Sequence, residues 1–66
     1  MEIRESQVRK WIREKTKLAF FHIVDHKLVE ETHAIILSYD DERVVVQDES
    51  GDQIYIPWEA VVNIEY

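Results

Sequence analysis

The sequence predicts a mainly β protein in which an N-terminal α-helix precedes a five-stranded, strongly bent antiparallel barrel. Apolar residues in the first 16 positions recur at helical spacing. From position 17 onward, runs of β-branched and aromatic residues alternate with polar turn clusters. The 66 residues suffice for one hydrophobic core only. We therefore assign residues 1–16 to the helix and residues 17–66 to the barrel, within a single domain spanning 1–66.

The helix prediction rests on composition and spacing. No glycine or proline occurs between residues 2 and 15, and acidic residues come early while basic residues come late, which complements the helix dipole. The apolar side chains that share one side of this helix are Ile3, Val8, Trp11 and Ile12. We expect this narrow stripe to pack across an open end of the barrel.

The first two strands are separated by a polar cluster at residues 25–27. The first strand begins at Leu18, and the second extends from Leu28 to Tyr39. Apolar and polar residues alternate along the second strand, yet neither face is uniformly apolar. This pattern predicts a strand whose inward face changes partway, with the small Ala34 near the bend.

Three shorter strands follow. Residues 43–47 are rich in valine, which favours a strand, and Gly51 supplies the positive φ that a tight reversal needs. Residues 53–56 form the fourth strand, which Pro57 ends because proline cannot donate to a strand ladder. Residues 60–66 form the fifth.

Charge is distributed unevenly along the chain. Residues 1–17 contain six basic and three acidic residues, a net charge of +3, whereas residues 18–66 contain two basic and eleven acidic residues, a net charge of −9. A basic helix attracts polyanions and an acidic barrel repels them. The alternative is that the helix and the barrel attract each other, within one subunit or between subunits.

Two short stretches carry a resemblance to a known family. Residues 36–40, Ile-Leu-Ser-Tyr-Asp, resemble the end of the first Sm motif, where an Ile, an aromatic residue and an Asp occur in that order, with Ala34 where the family usually has Gly. Residues 56–61 resemble the second Sm motif. With the order of its elements, the chain resembles a divergent bacterial or phage-type member of the Sm-like family, which includes Sm, LSm and Hfq proteins. The main alternative is another SH3-like barrel.

The resemblance implies a homo-oligomeric ring of five to seven subunits, in which the fourth strand of one subunit pairs with the fifth strand of the next. The sequence is consistent with this independently, because a chain of five strands has unpaired edges and a domain this small gains stability from a partner. The candidate interface residues are Ile54, Tyr55, Ile56, Val62 and Ile64.

The resemblance also implies binding of single-stranded RNA, although the family's usual uridine-binding residues are replaced here by Asp41, Glu42 and the Pro57–Glu59 stretch. Aromatic rings can stack on bases, and arginine can stack or contact phosphate. The alternative for the aromatic residues is packing in the core or between subunits. Three of the basic candidates are spaced at i, i+4 and i+8 in the helix. The candidates are Arg9, Lys10, Arg13, Lys17, Tyr39, Arg43 and Trp58.

Catalytic signals are missing from the sequence. It has no cysteine and no glycine-rich phosphate loop, and alternation along a strand would separate several of the histidines His22, His26 and His33. We expect no enzyme activity, no cofactor and no metal. Apolar stretches of four residues at most, together with the absence of cysteine, lead us to expect a soluble cytoplasmic protein. Its expected partners are its own copies and RNA; the alternative is an acidic, ring-shaped scaffold that binds a basic protein.

Overall fold

The computed structural model describes residues 5–66 and shows one helix followed by five antiparallel strands, as predicted. The strands join in the order β4-β3-β2-β1-β5. A single 3₁₀ turn, Trp58–Ala60, connects the last two strands. The elements are α1 Glu5–Glu14, β1 Leu18–Val24, β2 Lys27–Tyr39, β3 Arg43–Gln47, β4 Gln53–Pro57 and β5 Val61–Glu65.

Helix α1 ends at Glu14, two residues before the predicted end. Lys15 has a φ of 51°, in the left-handed region. Its N–H donates to the Ile12 carbonyl at 3.2 Å, and the Thr16 N–H donates to the Trp11 carbonyl at 3.1 Å. These two bonds form a Schellman motif, which closes the helix with a lysine in the position usually held by glycine. The predicted helical residues 1–4, including Ile3, lie outside the described residues.

Strand β2 changes its inward face at two positions. Val29 and Glu31 are half-buried, but past His33, which has a φ of 54°, the buried residues are Ala34 and Ile36. At this point β2 has one more residue than the facing part of β1, which appears as a register shift in the pairing between Leu18 and Phe20. The predicted change of face near Ala34 is therefore confirmed. A second register shift, opposite β3, lies between residues 36 and 38.

In the part of the chain that the structure describes, the two outer strands of the sheet do not pair with each other, and each has one unpaired edge. Strand β5 pairs with β1 and strand β4 pairs with β3, and no pairing joins β4 to β5. The predicted helix followed by five antiparallel strands is therefore confirmed, and within residues 5–66 the bent sheet does not close by pairing β4 with β5.

The hydrophobic core lies between the inner face of this sheet and helix α1. Residues Val8 and Trp11 are the buried residues of the helix. Phe20 is the largest side chain that is fully buried. The other buried apolar residues come from all five strands: Leu18, Ala34, Ile36, Val44, Val46, Ile56 and Val61.

Candidate functional site

The predicted basic residues of the helix are exposed to solvent. Arg9, Lys10 and Arg13 are exposed on α1, whereas Lys17 is exposed beyond the helix, just before β1. Because α1 ends at Glu14 and the chain turns at Lys15, Lys17 does not continue the i, i+4 row that Arg9 and Arg13 begin. The predicted single stripe is therefore broken into a helical part and a lysine on the following loop.

Salt bridges between described residues neutralise little of the positive charge on this basic surface. The Arg9 guanidinium lies 3.3 Å from a Glu5 carboxylate oxygen, one turn earlier on the same helix. Such an exposed i, i+4 pair contributes only a few tenths of a kcal/mol. Within residues 5–66, none of the salt bridges joins a cation of α1 to a carboxylate of the sheet. Direct pairing between helix and sheet in one subunit therefore does not account for their opposite charges.

Tyr39 connects the sheet to the helix. Its ring is half-buried against the core, and its hydroxyl donates a hydrogen bond to the Glu5 carboxylate at 3.0 Å. Partial burial and this hydrogen bond, together with the negative charge of Glu5, raise the pKa of Tyr39 above its ordinary value. The aromatic side chain of Tyr39 therefore packs within its own chain, which was the alternative to base stacking.

The β2–β3 turn is fixed by the carboxylate of Asp40. It accepts hydrogen bonds from the backbone N–H of Glu42 at 2.7 Å and of Arg43 at 2.9 Å. These two bonds stabilise the charged form and hold the pKa of Asp40 below its ordinary value. The residue that resembles the Asp of the first Sm motif is therefore used to build a turn.

Trp58 joins this turn to the end of β4. Its indole N–H donates to the Asp40 carbonyl at 2.7 Å, and its backbone N–H donates to the Glu42 carbonyl at 2.9 Å. A groove of about 540 Å³ opens beside it on the sheet surface. The walls of the groove include Trp58 and Arg43, so two of the predicted RNA-binding residues are brought together, while Tyr39 does not line it.

The predicted interface residues divide into three groups. Tyr55 on β4 and Val62 on β5 are more than half exposed, with values of 60% and 53%. Ile54 and Ile64 are half-buried against the core. Ile56 is completely buried within the subunit, so its side chain has no surface to offer a neighbour.

The sequence did not single out the buried pair formed by His22 and Glu31. His22 is 5% exposed, and its Nε2 atom, which has no hydrogen-bond partner, lies 3.8 Å from a Glu31 carboxylate oxygen. The signal for this pair is the alternation of β1, in which Leu18, Phe20 and His22 share one face. Among the described residues, no group of three potential metal ligands occurs.

No helix between residues 5 and 66 is long and apolar enough to cross a lipid bilayer. The succession of a helix and five antiparallel strands is compatible with an Sm-like fold. Comparison with models of known families, with curated proteins and with solved structures finds no match for this chain, so the likeness to that family rests on the order of the elements.

Proposed function

We propose that this protein is a homo-oligomeric ring of Sm-like subunits that binds single-stranded RNA through the basic residues of its helix. The observation that carries the assembly is the pair of open edges, β4 and β5, at the two ends of one bent sheet. Unpaired edge strands present rows of free N–H and C=O groups that pair readily with another chain. Pairing β4 with β5 of the next copy satisfies both edges when the subunits close into a ring.

Exposed apolar side chains on the same two strands support this assembly. Tyr55 lies on one edge strand and Val62 on the other. Burying them between subunits adds apolar contact area to a small domain, in which ten apolar residues are buried between residues 5 and 66. The resemblance supplies the expected subunit number of five to seven.

The RNA part of the proposal rests on the helix. Arg9, Lys10, Arg13 and Lys17 are exposed, and a ring repeats them once per subunit. Each phosphate contact contributes little by itself, but repetition around one ring raises the total affinity through multivalency. Binding of this kind weakens steeply as the salt concentration rises.

Native mass spectrometry of the purified chain, alone and with short U-rich and A-rich RNA at low salt, tests both parts. We expect a closed oligomer that retains RNA. The substitution Val62→Lys places a charge on the edge strand and should convert the oligomer to monomers. Val24→Lys is a matched control, since Val24 is also exposed but lies at the end of β1 beside the hairpin turn.

The triple substitution of Arg9, Arg13 and Lys17 by alanine tests the RNA surface. It should abolish RNA binding and leave the oligomer intact, because the three side chains are exposed and none lies on an edge strand. Unchanged RNA binding would exclude the helix as the RNA surface. A wild-type chain that remains monomeric at all concentrations would contradict the ring.

A further inference from the structure

The groove beside Trp58 combines aromatic walls with a negative rim. Tyr55, Pro57 and Trp58 supply its apolar surface, and Tyr55 is 60% exposed. Asp41, Glu42 and Glu59 supply three carboxylates against the single guanidinium of Arg43. The groove therefore has an excess of negative charge, and it belongs to the segment with a net charge of −9.

The shape of the groove is fixed before any ligand arrives. Trp58 is tied to the β2–β3 turn by its indole N–H and its backbone N–H, which donate to the Asp40 and Glu42 carbonyls. The turn is in turn fixed by the Asp40 carboxylate. A preformed groove costs little ordering on binding, so most of the contact energy remains available for affinity.

We propose that this groove binds an arginine side chain from a basic, flexible segment of a partner protein. A guanidinium is planar and weakly hydrated, so it stacks on aromatic faces such as those of Trp58 and Tyr55. It also donates paired hydrogen bonds to carboxylates such as that of Glu59. The charge complementarity excludes the opposite ligand, because three carboxylates repel an RNA phosphate.

The groove and the proposed ring use different parts of strand β4. Edge strands pair through backbone groups in the plane of the sheet, while side chains stand perpendicular to it. Tyr55 and Pro57 alternate with the inward-facing Ile56, so both project from the outer surface of β4. Tyr55 is the one groove residue that the proposed interface also uses. Because one chain supplies all the groove residues, a monomer should bind the arginine segment at one site per chain, and a ring that covers Tyr55 should bind it less tightly.

Fluorescence anisotropy with a labelled peptide of alternating arginine and glycine residues tests the proposal on the full chain. Glu59→Gln should weaken binding by about twofold to fivefold, the effect of losing one exposed ion pair. Glu30→Gln is the matched control, since Glu30 is an exposed carboxylate on β2 that does not line the groove. Equal effects of the two substitutions would overturn the proposal, because general electrostatic attraction would then explain binding.

The aromatic wall is tested by Trp58→Leu and Trp58→Phe. Both variants lose the indole N–H that donates to the Asp40 carbonyl, so the comparison between them isolates the aromatic ring. The leucine variant should bind the peptide about twofold to fivefold more weakly than the phenylalanine variant, which retains a ring for the cation–π contact. The alternating lysine and glycine peptide should bind less tightly than the arginine peptide because an ammonium group is more strongly hydrated and lacks the planar fork. Equal affinities for the two peptides would contradict recognition of arginine.

The sharpest test uses Arg43, because the two possible partners predict opposite signs. Arg43→Gln removes the only cation among the groove residues, so it should strengthen binding of the arginine peptide by about twofold to fivefold. If the groove instead contacted RNA, the same substitution would weaken RNA binding. Stronger peptide binding with unchanged RNA binding supports the proposal. Weaker peptide binding, or loss of RNA binding, overturns it.

Discussion

The two ends of the β1–β2 pair differ in how well they are covered. At the end of the pairing away from the hairpin turn, Leu18, the first residue of β1, is 1% exposed and pairs with the buried Ala34. At the hairpin turn, Ile23, Val24 and Leu28 are apolar as well but are 42% to 61% exposed. Similar residues thus form the core at one end and surface at the other. The difference shows that alternation along a strand does not by itself determine burial: an apolar residue is buried where it joins the core cluster shared by α1 and the five strands.

His22 marks the boundary between these two ends. It is the last buried residue of β1 before the exposed stretch, and it shares its face with Leu18 and Phe20. Its Nε2 atom is buried without a hydrogen-bond partner, and the Glu31 carboxylate oxygen, 3.8 Å away, is beyond hydrogen-bond distance. We therefore expect this residue to lower stability relative to an apolar side chain of similar size.

The largest expected effect comes from making the same substitution at both ends. Leu18→Ala should reduce the free energy of unfolding by about 2 to 5 kcal/mol because it leaves a cavity in the core. Leu28→Ala should change it by about 0.5 kcal/mol or less because the side chain is already exposed. Denaturation in urea measures both values. A large loss for Leu28→Ala would mean that the hairpin end is covered by another chain in solution.

The next effect concerns the boundary residue. His22→Phe should increase the free energy of unfolding by about 1 kcal/mol, since phenylalanine fills a similar space without an unsatisfied nitrogen. Glu31→Gln serves as the companion variant: it keeps an oxygen near the imidazole and should change stability less. Thermal and urea unfolding report the difference. Destabilisation by His22→Phe would indicate that the contact of the imidazole with the Glu31 carboxylate, at 3.8 Å, outweighs the cost of the unpaired nitrogen.

The bend that separates the two ends of β2 is predicted to be strained. His33 has a φ of 54°, which costs an L-residue about 1 to 2 kcal/mol, although histidine tolerates this region better than most. Glycine removes that cost, but its greater conformational freedom in the unfolded state lowers the free energy of unfolding by about 0.4 to 1 kcal/mol. His33→Gly should therefore stabilise the protein by about 0.5 kcal/mol in urea unfolding.

His26→Gly at the hairpin turn is a matched control for this substitution, because its φ is 65°. If His26→Gly increased the free energy of unfolding while His33→Gly decreased it, a contact of His33 would outweigh the backbone strain. The contact in question is with Glu49, whose carboxylate oxygen lies 3.5 Å from Nδ1. We expect both substitutions to increase the free energy of unfolding.

The sequence was informative where structure depends on near neighbours. The number of strands and the change of face near Ala34 follow from alternation, which is a local property. The end of the helix did not, since Lys15 adopts the left-handed conformation without the glycine that usually signals it. Unpaired edges were expected of a chain with five strands, but the lack of pairing between β4 and β5 within residues 5–66 depends on how distant segments meet.

The candidate site shows the same division. The exposure of the basic residues on α1 follows from their place on the polar side of an amphipathic helix. By contrast, the sequence leaves both base stacking and packing open for Tyr39, because its hydrogen-bond partner is not nearby in the sequence. Its partner Glu5 is 34 residues away, and only the packing of the helix on β2 brings the two together. The acidic groove likewise depends on contact between the β2–β3 turn and Trp58.

The smallest expected effect concerns the hydrogen bond from the Tyr39 hydroxyl of β2 to the Glu5 carboxylate of helix α1. The pKa of Tyr39 is raised above 10.0 in the folded protein, so the folded state favours the protonated phenol. Its stabilising contribution is fully present below the unfolded-state pKa and is lost as the pH rises through the folded-state pKa, where a phenolate would face the Glu5 carboxylate. Tyr39→Phe should therefore lower stability more at about pH 8 than at about pH 11. Urea unfolding at both values measures this. An equal loss at the two pH values would show that the hydroxyl contributes through packing and that its hydrogen bond to Glu5 adds nothing.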